Sequence, residues 1–294
     1  MKALVTGASG FVGRRLLDHL GPERGVGAYG ARPMAGAIAF EAGRDRLADL
    51  ASRLPSNLTH VFILHGAVNP ERCAREWDAT AAINVDSVTR LVQDCFAQGL
   101  TPVWFSTDYV FPGDRGFWRE TDPTAPLTAY GRQKAAVEAW LQDQARPWLA
   151  VRLSKVVSDR IEPQNILGEW VGNIRRGETM RCAYDQVLSP ICADDAAGAS
   201  IALAEAGATG LFNLAGPEAF TRLALLHLLI SHVLATDRTA EPDVVPCRLA
   251  DLGFSEARPL DTSLDIGKLQ RTIGWRFTPM AELCARLAAA PGVS

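Results

Sequence analysis

The chain predicts an α/β fold, a doubly wound parallel sheet with a smaller, mostly helical lobe toward its C-terminus. Three observations predict it. Short apolar runs rich in branched residues alternate with stretches of helical spacing through residue 153, which calls for a parallel sheet with helices on both faces. A glycine-rich turn joins the first run to the first helical stretch. After residue 156 the chain leaves the sheet, and the remainder from about residue 217 reads as mostly helical.

Lys2–Thr6 is the first strand, and Gly7-Ala8-Ser9-Gly10-Phe11-Val12-Gly13 follows it. Arg14 to Leu20 then has helical spacing through Leu16, Leu17 and Leu20. The glycines stand three apart, G-x-x-G-x-x-G, where the common dinucleotide fingerprint is G-x-G-x-x-G. Gly7 permits a tight turn, Gly10 lets backbone approach a pyrophosphate, and Gly13 lets helix pack closely on strand. Ser9, Phe11 and Val12 complete the cradle. The helix start offers free N–H groups and a positive dipole end to phosphates.

Gly25 to Ala31 is the next strand, ending at Arg32. An acidic residue there would pair with the ribose hydroxyls of NAD. Arg32 stands in that place, with Arg14 just past the third glycine. A guanidinium fits a 2′-phosphate, so NADPH is favoured over NADH. Ile63 to Ala67 closes another strand, bringing His65, Gly66 and Ala67 to where an adenosine or ribose needs close approach. Asn84, on a predicted helix over 81–98, is placed to bond backbone near the site.

Val103–Ser106 is the strand whose carboxyl end carries Thr107. Downstream, Tyr130 and Lys134 are four apart and share one face of a helix. An ammonium beside a phenol lowers the tyrosine pKa from about 10, giving a proton donor or acceptor near neutral pH. A hydroxyl from Ser106 or Thr107 would hold a carbonyl oxygen in the same pocket. The set suits reduction of a ketone or oxidation of an alcohol. Ligands of open parallel sheets bind at strand carboxyl ends, where residues 7, 32, 66 and 107 all fall.

Leu149–Leu153 is the sixth strand, 165–176 an amphipathic helix ended by Gly177, and 193–206 a helix begun near Asp194 and Asp195. Leu211–Leu214 adds one more strand. The expected division is a nucleotide-binding domain over 1–156, to which 188–216 return, and a substrate lobe from 157–187 and 217–294. Pro112 to Leu127, with Trp118 and several prolines, is the longest loop and is expected to cover the pocket.

Composition narrows the function classes. A net charge of −3 over 294 residues provides no electrostatic footprint for nucleic acid or an anionic membrane. No apolar run reaches spanning length, and the chain starts directly on its first strand, so a cytoplasmic protein is expected. Six cysteines (73, 95, 182, 192, 247, 284) lack any C-x-x-C pair and read as structural thiols. The histidines do not cluster; His227 and His232 lie on an apolar helix, 223–234, with a packing role expected. No metal site is visible. The apolar faces of helices 81–98 and 134–145 leave open a homodimer or purely internal packing.

These motifs resemble the extended short-chain dehydrogenase/reductase family, in its dTDP-4-dehydrorhamnose reductase branch. The similarity is carried by Ser106-Thr-Asp-Tyr-Val-Phe-Pro-Gly, Glu120-Thr-Asp-Pro-Thr-Ala-Pro-Leu and Tyr130-Gly-Arg-Gln-Lys. Asp185-Gln186, Ser189-Pro190, the run Arg258 to Asp265 and Lys268 extend it more loosely. The resemblance implies a Rossmann domain and NADPH-dependent reduction of a nucleotide-linked 4-keto-6-deoxy sugar. It implies that Thr107 binds the carbonyl, that Tyr130 protonates the developing alkoxide, and that Lys134 lowers the Tyr130 pKa and bonds the nicotinamide ribose. Val68, Tyr109, Lys155, Gln186 and Arg258 are then substrate-binding candidates, with Asp185 beside Gln186. Arg175, Arg176, Arg181 and Arg258 are candidates for the diphosphate. Two departures fall in the substrate pocket: Lys155 stands where the family carries an aromatic residue, and 68–73 replaces an Ala-Tyr-Thr-like segment. Two other readings use the same fold: an epimerase or dehydratase of nucleotide sugars, and a non-catalytic NADP-binding regulatory subunit like that of methionine adenosyltransferase.

Overall fold

Strands buried on both faces are largely apolar, and here they are, with Ser106, Arg152 and Asn213 among the buried polar exceptions. In the computed structural model, which describes residues 1–162, 164–237 and 241–290, seven strands form one sheet. They are β1 (Ala3–Thr6), β2 (Gly25–Tyr29), β3 (Ile38–Ala39), β4 (His60–Ile63), β5 (Thr101–Thr107), β6 (Leu149–Leu153) and a last strand Gly210–Leu214. The spatial order is Gly210–Leu214, β6, β5, β4, β1, β2, β3, with every neighbouring pair parallel. The order reverses between β1 and β4, which opens a crevice at their carboxyl ends. The predicted strand to Ala31 stops at Tyr29, and Arg32 lies in the exposed bend beyond. The two-residue β3 was not visible in the sequence pattern.

One face of the sheet is covered by helix α1 (Phe11–Arg24), broken at Gly21 by a positive φ of 67° ahead of Pro22, and by the helix Ala193–Glu205. Leu16 and Leu20 meet Ala196, Ala197 and Leu203 over Val5, Phe62, Val103 and Val151. After β4 come the short helices α2 (Pro70–Arg75) and α3 (Trp77–Ala81), a wide π turn at Ala82–Asp86, then α4 (Ser87–Ala97). The single helix expected over 81–98 is therefore widened at the turn that carries Asn84. Helix α5 (Ala129–Gln142) follows β5. Val88, Leu91 and Val92 of α4 and Val137 and Leu141 of α5 pack on Leu4, Val61, Ile63 and Trp104. Both apolar faces considered for pairing are thus covered within the chain.

A third core joins the helix Ile166–Arg175 to the helices Arg222–Thr236 and Met280–Ala288 through Leu167, Trp170, Ile174, Leu225, Leu229, Leu283 and Leu287. Three two-stranded ribbons tie these parts together, so the lobe is not wholly helical. Of the lobe expected from the sequence, residues 163, 238–240 and 291–294 lie outside the described residues. All six cysteines are buried free thiols. Among the described residues no helix is long and apolar enough to cross a membrane.

Candidate active site

The glycine loop is built by close approach. Gly7 has φ +68°, and a Cβ there would stand 2.8 Å from the backbone nitrogen of His65. A Cβ on Gly13 would overlap the Gly7 carbonyl oxygen, so any side chain at 13 pushes α1 off the loop. Gly10 N–H donates to Gly7 O at 2.9 Å, and Gly10 caps α1 with no side-chain cap bond. The dipole end of α1 is open to an anion. Ser9 is buried, and Phe11 and Val12 are half-buried on the first turn. Arg14 and Arg32 are exposed and form no ion pair among the described residues.

The β4 end is wired by side chains. Asn84, fully buried, accepts from Ala67 N at 2.7 Å and donates to Ala67 O at 2.9 Å and to Gln133 Oε1 at 2.7 Å. Gln133 in turn donates to Thr80 Oγ1 at 3.0 Å. A block of amides thus locks residues 66–67 to α5, the helix that carries Tyr130. Asn84 acts on the backbone of the Gly66–Ala67 turn, as the sequence led us to expect. His65 bridges Thr6 Oγ1 at 2.9 Å and Ser87 Oγ at 3.0 Å. Burial, then the charges of Lys134 and Arg90, push its pKa down to about 4, so it is neutral.

Strand alternation decides between the two hydroxyls. Ser106 donates to Glu138, which forms a buried two-pronged pair with Arg152 at 2.7 and 3.0 Å. Ser106 is therefore committed to the core. Thr107 stays at the strand end, where its hydroxyl donates to Asp108 at 3.0 Å and its Oγ1 accepts from Tyr109 N at 3.3 Å. Helix α5 begins at Thr128, whose hydroxyl accepts from Gly131 N at 3.0 Å. Gly131 lies so close to Tyr109 O that no side chain fits between them. That approach seats Tyr130 against Tyr109, ring centroids 6.4 Å apart and edge-to-face.

Tyr130 and Lys134 do meet, but not as the sequence led us to expect. Lys134 Nζ donates to Phe105 O at 2.7 Å and lies 4.8 Å above the Trp104 ring and 5.9 Å from the Tyr130 ring centroid. Its hydrogen bond goes to the β5 backbone, and none joins it to the phenolic oxygen among the described residues. The Tyr130 pKa is raised, by burial first and then by the Asp108 charge, with a hydrogen bond from Thr107 opposing. The expected lowering by Lys134 is replaced by a phenol held protonated at neutral pH. Lys134 itself is lowered to about 8 by burial, against the pull of Glu138.

Around this centre stand the substrate candidates. Burial, then the Asp108 charge, raises the Tyr109 pKa, with Arg258, Arg222 and Gln186 opposing. Gln186 is buried, and its Oε1 lies 3.4 Å from Arg222 Nη1. Lys155, half-buried, lies two residues past Leu153, the register partner of Thr107. Val68 is exposed at the rim, 59% accessible. Arg258 pairs with Glu71, which also accepts from Ser255 N at 3.1 Å. The other diphosphate candidates do not gather here. Arg175 binds Asp237 at 2.8 Å and two C-terminal carbonyls, Arg176 binds Glu178 at 2.7 Å, and Arg181 binds Asp251 O. Asp185 accepts from Leu249 N at 2.7 Å, a backbone duty. The Pro112–Leu127 loop is pinned, not free: Trp118 stacks on Phe111 at 4.6 Å and bonds the backbone of Asp261, Ser263 and Asp265.

A glycine cradle, an amide-locked strand end and a Thr–Tyr–Lys group now lie along adjacent β1, β4 and β5 carboxyl ends, and the whole chain, residues 1–290, matches the family described as RmlD substrate binding domain. The chain belongs to this family. It is thereby a member of the dTDP-4-dehydrorhamnose reductase branch of the extended short-chain dehydrogenases/reductases, a family of oxidoreductases. It is 28% identical over 301 residues to the probable low-salt glycan biosynthesis reductase Agl14 of Haloferax volcanii, covering 99% of this chain and 98% of that one. It is 29% identical over 222 residues to dTDP-4-dehydrorhamnose reductase of Salmonella typhimurium, covering 73% and 72%. The crystal structure of dTDP-4-dehydrorhamnose reductase from Bacillus anthracis in complex with NADP has the same fold, with TM-score 0.83 at 19% identity over 98% of this chain and 99% of that one.

Sequence reasoning missed four residues that the structure places against the candidates. Asp108 touches Thr107 and is pushed up to about 6 by burial, with hydrogen bonds from Thr262 and Thr107 and the Lys155 charge opposing. Its place next to Thr107 was the available signal. Gln133, Arg222 and Glu71 gave none, because each acts on a segment at least 36 positions away.

Proposed function

We propose that the chain is an NADPH-dependent reductase of a keto group on a nucleotide-linked sugar, with Tyr130 as general acid. The nucleotide-linked 4-keto-6-deoxy sugar implied by the family resemblance is its reference substrate. The observation that carries this reading is the meeting of Thr107, a protonated Tyr130 and Lys134 at the β5 end, beside the glycine cradle. Gly7, Gly10 and Gly13 with the uncapped α1 N-terminus fit a pyrophosphate, and the unpaired Arg14 and Arg32 fit a 2′-phosphate. Bound there, NADPH supplies the hydride. Thr107 would turn its hydroxyl from Asp108 to the substrate carbonyl. Tyr130, whose burial keeps its proton in place, delivers that proton to the developing alkoxide. The 1–156 and 188–216 segments carry the cofactor side, and 157–187 and 217–294 the sugar side.

Fluorescence titration with NADPH and NADH, repeated with dTDP-4-keto-6-deoxyglucose, tests the reading. Tighter NADPH binding with cofactor oxidation on adding a keto sugar is the expected result. Binding with no oxidation by any keto nucleotide sugar would overturn it and favour the regulatory-subunit reading, and the next screen would be for a protein partner.

A further inference from the structure

Many arginines of this chain are paired with a carboxylate, Arg258 of the cleft among them; Lys155 and Arg222 are not. Among the described residues, Lys155 Nζ makes neither hydrogen bond nor ion pair, and Arg222 has no carboxylate partner; its Nη1 lies 3.4 Å from Gln186 Oε1. Neighbouring Arg258, by contrast, is paired with Glu71. The two unpaired cations come from segments that the fold brings together. Lys155 follows the β6 end, fixed by its carbonyl accepting from Ile191 N at 3.0 Å. Arg222 opens the helix Arg222–Thr236, its N–H donating to Gln186 O at 2.7 Å and its guanidinium 5.7 Å from the Trp170 ring.

Both are half-buried, and each senses the other: burial first, then the Arg222 charge, lowers the Lys155 pKa. The opposing charges that reach Lys155 are Asp108 and Glu169. Asp108 receives the Thr107 hydroxyl, and Glu169 is exposed on the outer side of its helix. Two partly desolvated like charges are unfavourable until an anion joins them. A carboxylate suits a fork of guanidinium and ammonium donors.

We propose that Lys155 and Arg222 form a carboxylate-binding subsite beside Thr107 and Tyr130, so that the keto sugar reduced here carries an acid group. The inference rests on the keto-sugar reductase reading and changes only the sugar: a carboxylate takes the place of the neutral 6-deoxy methyl group. Position argues against the diphosphate as the anion. The Lys155 charge acts on Asp108, next in sequence to Thr107. The diphosphate of a nucleotide sugar hangs on the anomeric carbon, across the ring from a 4-keto group. A methyl group in the same place would leave both cations without a partner.

The test is calorimetric titration of the NADP-saturated protein with UDP-glucuronate, UDP-glucose and UDP, and with dTDP-glucuronate and dTDP-glucose. The expected result is an affinity roughly ten-fold higher for the glucuronate than for the glucose of the nucleotide series that binds. Lys155→Gln should erase that preference while leaving affinity for the glucose and for NADPH in place, and Lys155→Arg should keep it. Equal affinity for the two sugars in the unchanged protein would overturn the proposal. So would a loss in Lys155→Gln shared by UDP alone, which would assign the pair to the diphosphate. If NADPH binds and no nucleotide sugar does, the keto-sugar reading itself falls. Oxidation of NADPH by a neutral keto sugar with no gain from a carboxylate would keep the reductase and remove only this subsite.

Discussion

The two sides of the cleft, the glycine loop with the β4 end and the region of Lys155 and Arg222 proposed to take the sugar, are built on different principles. At the glycine loop and the β4 end the buried polar groups are answered within the chain, Asn84 by Ala67 and Gln133, His65 by Thr6 and Ser87, Gly10 by Gly7, and only the exposed Arg14 and Arg32 and the start of α1 stay open. On the other side, groups stand without partners. Lys155 and Arg222 lack counterions among the described residues, and Arg258 Nη1 is buried with no hydrogen bond. A rigid frame suits a ligand that presents the same surface at every turnover. Unanswered charge marks the part of the pocket whose chemistry is completed by the substrate.

The comparison can be broken first at the junction of the halves. Tyr130→Phe should lower turnover by about 10²-fold or more, with NADPH affinity unchanged, as a steady-state assay paired with a binding titration would read. A parallel fall in cofactor affinity would place the phenol on the frame side instead.

The frame's dependence on a neutral imidazole comes next. The His65 pKa is lowered from 6.5 to about 4, so its contribution to stability is present above pH 6.5 and is lost as pH falls toward 4. Linkage sets the loss at about 3 kcal/mol. Asp108, raised from 3.8 to about 6, has the opposite sign: its contribution is full below 3.8 and is lost as pH rises through 6. Urea unfolding of wild type and His65→Gln across this range separates the two, since only the difference between the curves belongs to His65. Parallel curves would show that His65 titrates alike folded and unfolded.

Asn84→Ala should cost about 1–3 kcal/mol, because the Ala67 N–H and Gln133 Oε1 are left buried and unpaired. Denaturant midpoints measure it. A loss below half a unit on that scale would mean that the amide block is not what fixes the β4 end. The smallest effect is expected at the edge of the frame. Arg32→Ala should reduce the NADPH preference over NADH by about ten-fold, roughly 1.4 kcal/mol, without moving the melting temperature. An unchanged ratio would leave Arg14 as the 2′-phosphate ligand.

The same contrast explains what was legible in the sequence. Glycine spacing, strand–helix alternation and the Tyr130–Lys134 interval are local necessities, and each reappears in place. The Ser106-or-Thr107 choice needed the strand's facing, which Glu138 and Arg152 reveal only once β5, β6 and α5 are packed together. The Tyr130 pKa was read with the wrong sign because spacing brings a lysine to the right face of a helix without saying where its ammonium points. Arg175 and Arg176 looked like anion ligands until their partners, brought in from residues 178, 237, 288 and 290, were known. The proposed sugar pocket draws on residues 109, 155, 186, 222 and 258, a constellation that no short motif can announce.

One contact has a wider meaning. The first N–H of α5, on Ala129, donates to both carboxylate oxygens of Glu256 at 3.0 and 2.9 Å, and Arg132 pairs with the same group at 2.8 Å. The helix that aims Tyr130 is therefore capped by a residue supplied from the far end of the chain. A fragment ending before residue 256 would keep the glycine cradle, every strand of the sheet and the Thr128 cap, yet leave the Ala129 N–H and Arg132 without their carboxylate. The nucleotide-binding half is a half in the literal sense: its reactive end is finished only when the last forty residues have folded back onto it.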